Sequence, residues 1–127
     1  NKMGCHALCA TGRKYLRGPR GTGFLYINEK KVEALDPPFL DLQAARWVKQ
    51  NDYVIEPHAK RFETWETNYS NKIGLGAAID YALKWGMENI WQRVSYLADR
   101  LRQSLSEIPA ITLQDLGQKK CGIVTFT

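Results

Sequence analysis

The sequence is poor in cysteine and histidine, and it holds no long apolar run. Its three cysteines, Cys5, Cys9 and Cys121, form no C-x-x-C pair, and an odd number does not make a disulfide framework. A reduced, cytoplasmic setting is the expectation that follows. Cys5, His6 and Cys9 match no zinc spacing and have no second cluster to complete a site, so no metal is expected. The other histidine, His58, reads as a solvated loop residue. Nothing approaches the roughly 18 apolar residues of a membrane span, and no secretory leader pattern is visible. Internal repeats and low-complexity tracts are absent too. What is present is a 127-residue chain, 44% hydrophobic with four Trp, enough for a modest core and unlike a disordered sequence. Its net charge of +5 permits an anionic ligand without requiring nucleic acid.

One stretch organises the rest. His6 to Ala10 and Thr22 to Ile27 read as short strands, the second rich in aromatic and branched residues. Between them lie Gly12, Gly18, Gly21 and Pro19 with four cations, Arg13, Lys14, Arg17 and Arg20. That connection is too short and too broken for a parallel crossover, which needs a dozen or more residues and usually a helix. The strands are therefore expected to be antiparallel, with a cationic loop at one end. Such a loop suits a phosphate, because glycines let backbone amides approach, threonines donate and cations supply the field. It also suits a reactive amine, since neighbouring arginines and burial destabilise the ammonium form of a lysine. Phosphate and amine together fit pyridoxal phosphate. Chemistry alone leaves a second reading open: a polyanion- or nucleic-acid-binding module using the Arg13–Arg20 loop, with Tyr15 stacking on a base.

The run Thr11-Gly12-Arg13-Lys14-Tyr15-Leu16-Arg17-Gly18-Pro19-Arg20-Gly21-Thr22-Gly23-Phe24-Leu25-Tyr26 resembles the cofactor-lysine segment of class V aminotransferase-like, fold-type-I pyridoxal phosphate enzymes, including cysteine desulfurases and selenocysteine lyases. The likeness continues through Arg61-Phe62-Glu63, Ile73-Gly74-Leu75-Gly76-Ala77-Ala78 and the following helix to Gly122-Ile123-Val124-Thr125-Phe126. The resemblance implies an α/β fold: the end of a large cofactor domain over residues 1–68, its antiparallel strand pair around Lys14, then the first part of a small C-terminal α+β domain over 69–127. It implies an internal fragment of a longer enzyme acting on an amino acid at its α carbon, homodimeric, with the site at the subunit interface.

The same resemblance assigns roles. Lys14 would bond covalently to the cofactor aldehyde and then move protons on the substrate carbon. Thr11 matches a phosphate-binding serine. Arg13 stands where desulfurases carry histidine and would give a bidentate phosphate contact that cannot titrate. One extra residue between Lys14 and Gly18 brings the spacing nearer to kynureninase-like members. Where desulfurases have Gly-Thr, this chain has Trp65-Glu66, so the contact to the partner's cofactor phosphate passes to Thr67 with a one-residue shift. Glu66 would repel that phosphate unless paired, with Arg61 the candidate partner. These departures favour a lyase or aminotransferase of the class V type over a mainstream desulfurase.

Along the remaining chain, residues 28–31 read as a polar turn and Asp36-Pro37-Pro38 as a boundary. Residues 39–50 fit a short helix or an irregular loop equally well, and Tyr53 to Ile55 fits a short strand. Residues 58–68 read as loop. A helix is expected from Ser70 to Trp85, with Ile73, Ala77, Ala78, Tyr81, Ala82 and Trp85 on its apolar face and Gly86 as its stop. Gly74 and Gly76 would serve close packing or approach to a ligand. A second helix runs from Met87 to about Glu107, with Ile90, Val94, Leu97, Leu101 and Leu105 inward and Glu88, Arg93, Asp99, Arg100 and Arg102 in water. Residues 111–116 and 121–127 read as a hairpin.

Overall fold

A computed structural model describes residues 4–127. The chain divides into a unit ending at Ile79 and a second unit, Asp80–Thr127. In the first, β1 (Ala7–Thr11) pairs antiparallel with β2 (Gly23–Ile27) in continuous register from Ala7 opposite Ile27 to Thr11 opposite Gly23. The two ladder ends are closed by Asn28 N–H on the His6 carbonyl (2.7 Å) and Gly12 N–H on the Thr22 carbonyl (2.8 Å). The register leaves room only for glycine at position 23. A Cβ there would stand 2.5 Å from the Ala10 carbonyl oxygen, and that backbone oxygen cannot swing aside. Gly23→Ala is therefore expected to destabilise the protein by about 1–3 kcal/mol, read as a lowered denaturant midpoint with the slope unchanged. An unchanged midpoint would mean that the ladder is not this tight.

Two segments differ from their sequence reading. Residues 28–31 are no mere turn: Asn28 accepts the Lys30 amide on its side-chain oxygen (3.0 Å) and starts a four-residue helix, α1 (Glu29–Val32), whose Val32 is buried. Within 39–50 the structure forms neither helix nor plain loop at its end. Ala45–Lys49 is a strand, β3, paired antiparallel with β4 (Asp52–Ile55) across a bulge between Trp47 and Lys49. The sequence signal of β4 was legible, but β3 owes its shape to that partner, and tertiary context overrides a weak local pattern.

After a 3-10 turn at Ala59–Phe62 and a loop, Asn68 begins α2 (Tyr69–Trp85), taking the Asn71 amide on its side chain (3.0 Å) and the Lys72 amide on its carbonyl (3.0 Å). The inward face of α2 matches the expected one only in part: Ala82 is buried and Ala78 half-buried, but the large residues of that face are not packed. Ile73 is 74% exposed, and Tyr81 and Trp85 lie open with their rings in an edge contact at 6.4 Å. The packed side instead carries Asn71, Gly74 and Leu75, with Leu75 buried. Small size selects this face: Gly74 sits so close to Pro19 that a Cβ would fall 2.7 Å from its Cγ. Gly76 has open space beside it, so only Gly74 acts as a packing glycine.

In the second unit, α3 (Met87–Ser106) follows Gly86, whose φ of 84° suits a residue without a side chain. Of its expected inward stripe, Ile90, Val94 and Leu105 are half-buried but Leu97 and Leu101 are about half exposed, while Ala98 and Arg102 are buried. The hairpin of 111–116 and 121–127 is antiparallel as expected, yet shorter than two strands. It reduces to the bridge Leu113–Phe126, flanked by Thr112–Thr127 and Gln114–Thr125 backbone bonds.

Arg102 explains how so short a ladder is held, and it corrects the expectation that this residue faces water. Its Nε donates to Asp115 (2.6 Å), its Nη1 to Asp99 (3.1 Å), and its Nη2 to the carbonyls of Cys121 (2.8 Å) and Ile123 (2.9 Å). Asp115 in turn accepts the amide and hydroxyl of Thr125, both at 2.8 Å. A cation on the helix thus ties both arms of the terminal hairpin through one carboxylate.

Candidate active site

The loop between β1 and β2 is built from tight turns. Arg17 N–H donates to the Lys14 carbonyl (2.9 Å), and Gly18 N–H to the Gly12 carbonyl (2.9 Å). Thr22 Oγ1 closes the far side on the Pro19 carbonyl (2.6 Å). Arg17 takes φ 57° to complete the first turn, a left-handed backbone that costs a non-glycine residue about 1–2 kcal/mol. It falls between Lys14 and Gly18.

Three of the four residues singled out from sequence share this loop. Thr11 ends β1, exposed, with its hydroxyl 3.4 Å from the Thr22 carbonyl. Arg13 and Lys14 follow at the turn, both exposed. Among the described residues, no carboxylate pairs with Arg13, Lys14 or Arg20, so their charges are uncompensated within the chain. Beside the loop, a shallow depression of about 460 Å³ is lined by Cys9, Ala10, Thr11, Thr22, Gly23, Phe24 and Leu25. Gly12 and Gly18 serve packing more than anion binding, because their amides are already spent on the Thr22 and Gly12 carbonyls. Side chains that could meet a phosphate here are the cations and the Thr11 hydroxyl, whose present contact with the Thr22 carbonyl is long.

The fourth residue, Thr67, lies apart, half-buried in the loop before α2. Its neighbour Trp65 is 54% exposed and donates its amide to Asp41 Oδ2 (2.9 Å), and Thr64 Oγ1 reaches the Glu66 carbonyl (3.2 Å). Arg61 does not neutralise Glu66. It is buried, with Nη1 on the Val32 carbonyl (2.6 Å), so it ties this segment to the end of α1. His58 is an exposed loop residue as expected, 3.5 Å from Glu56, which also meets Arg46 at 3.3 Å. Among the described residues no disulfide forms, and no cluster of His, Cys, Asp or Glu could hold a metal.

Two residues that sequence reasoning passed over complete the loop. Asn71 Nδ2 donates to the Arg20 carbonyl (3.1 Å), and Leu75 wedges its Cδ1 against Gly12 and Gly18. A Cβ on those glycines would fall 2.6 Å and 2.9 Å from that methyl. The only sequence signal was the pair Gly74 and Gly76 on the same helix.

The family model for aminotransferase class-V matches residues 1–127. The chain belongs to that family. A relative from Methanothermobacter thermautotrophicus, designated "Probable cysteine desulfurase", is 33% identical over 115 residues, covering 91% of this chain and 29% of the relative. The apo structure of cysteine desulfurase from Thermococcus onnurineus NA1 superposes with a TM-score of 0.85 at 28% identity, over 99% of this chain and 32% of that one. A C-DES mutant with glycine covalently linked to its PLP cofactor shares the fold at TM-score 0.80 and 24% identity, over 92% of this chain and 31% of that one. The mixed α/β architecture expected from the lysine segment is thus the observed one. The chain spans less than a third of the length of the relatives it matches. These matches lend nothing to a nucleic-acid-binding module. Among the described residues no helix is long and apolar enough to cross a membrane.

Proposed function

We propose that the chain is the lysine-bearing part of a pyridoxal phosphate enzyme acting on an amino-acid substrate, cysteine or a related sulfur amino acid, as a cytoplasmic homodimer. The supporting observation is the Lys14 loop itself, where an amine, a hydroxyl and uncompensated cations share one turn within a class-V fold. When bound, pyridoxal phosphate supplies an aldehyde for an amine and a ring that takes up an electron pair from the substrate's α carbon. Its phosphate would be held by Thr11 and Arg13, and Lys14 would bond to the aldehyde and then carry protons. Thr67 is the candidate for the phosphate of the partner subunit's cofactor. Residues 1–68 would belong to the large domain and 69–127 to the small one.

Borohydride treatment of the full-length holoenzyme, followed by peptide mapping, tests the assignment. The reduced cofactor adduct is expected on Lys14. An adduct on any other lysine removes Lys14 from the chemistry.

A further inference from the structure

A loop with several cations and three glycines within ten residues does not hold its shape unaided. Like charges repel, and glycine leaves the backbone free. Yet this loop is the place where an amine must stand still to within a fraction of an ångström. The structure shows what restrains it: the first two turns of α2. Asn71 spans 51 residues of sequence to donate to the Arg20 carbonyl at 3.1 Å. Its own backbone is fixed by the Asn68 side chain at 3.0 Å, so the donor does not drift. One turn on, Leu75 is buried with its Cδ1 filling the space that side chains at positions 12 and 18 would take. Between them, Gly74 admits the Pro19 ring. The helix therefore grips the loop at both ends of the turn that carries Lys14, by a polar bond at Arg20 and an apolar wedge at Gly12 and Gly18.

We propose that Asn71 and Leu75 are positioning residues for Lys14, acting through the 12–21 loop and touching neither substrate nor cofactor. The catalytic half of this proposal rests on the reading of Lys14 given above; the restraint itself does not. The geometry makes the two contacts complementary. The Asn71 bond fixes the far arm of the loop, and the Leu75 methyl fixes the near arm where Gly12 and Gly18 are bonded to each other. Loss of either lets the turn between them widen.

The test compares Asn71→Ala, Leu75→Ala and Leu75→Met in the full-length protein, with Asn89→Ala as a matched control. Asn89 also donates its side-chain amide to a carbonyl (Trp85, 2.9 Å), but at the α2–α3 junction and not on the loop. The first readout uses cofactor-free protein: hydrogen–deuterium exchange of the peptide spanning residues 11–23. It is expected to quicken about tenfold or more in Asn71→Ala and Leu75→Ala, to return towards wild type in Leu75→Met, and to stay put in Asn89→Ala. The second is steady-state kinetics of the holoenzyme, where kcat falls about tenfold or more in the two alanine variants with KM within about twofold. Exchange within twofold of wild type in both alanine variants overturns the proposal. So does a fall in kcat that Asn89→Ala reproduces, because that would be general destabilisation. Borohydride adducts on a different lysine would sink the Lys14 reading, and with it the catalytic half, even where exchange quickens.

Discussion

Lys14→Ala in the full-length enzyme is expected to lower kcat by about three orders of magnitude or more and to erase the borohydride-reducible adduct. The kinetic loss is large because one side chain carries two duties under the reading proposed here: the covalent link to the cofactor, and proton transfer at the substrate carbon, which alone is worth about 10²–10⁴-fold. Lys14→Arg does not rescue activity, since a guanidinium holds its proton at every accessible pH. A variant that still turns over at a tenth of the wild-type rate would show that another amine does this work.

The second large effect concerns the second unit. The Asp115 carboxyl is held down to about 2 from an ordinary 3.8, first by the Arg102 hydrogen bond, then by the Thr125 amide and hydroxyl, with burial opposing. Arg102 is correspondingly raised by the same bond. A carboxyl with a depressed folded-state pKa contributes stability that is complete above its unfolded value and is lost as pH falls through the folded one. The contribution is thus present above pH 3.8 and disappears down to about pH 2. Asp115→Asn should lower Tm at neutral pH and flatten the fall of stability across that acid window. Arg102→Met should give the largest drop in Tm of any single side-chain truncation in Asp80–Thr127, because it abandons a buried carboxylate and two carbonyls at once. Parallel pH–stability curves for wild type and Asp115→Asn would remove Asp115 from this account.

The antiparallel pair around Lys14 could be read from two short apolar runs and a breaker-rich link. Both long helices could be read from their apolar spacing and from Gly86 between them. The inward faces could be read only in part: Ala78 and Ala82 on α2 and Ile90, Val94 and Leu105 on α3 are buried or half-buried as expected, but the rest are not. Apolarity pointed to Ile73, Tyr81 and Trp85 on α2, whereas the structure packs Asn71, Gly74 and Leu75, because the lysine loop approaches too closely for bulk. Arg102 looked like one more exposed cation among several on α3. Only the placement of Asp115 and two carbonyls, all supplied from residues 115–123, gives a reason to bury it. The strand β3 escaped notice for a related reason, as its signal lies half in its partner β4.

The sequence by itself determined the family and the loop that bears the amine, because glycines, proline, cations and hydroxyl at fixed offsets are local chemistry that needs no folding to be seen. Tertiary structure decided how that loop is held and how the terminal hairpin is anchored. Each depends on contacts between residues distant in the chain, Asn71 with Arg20 and Arg102 with Asp115, and no local pattern encodes which far segment a helix will meet.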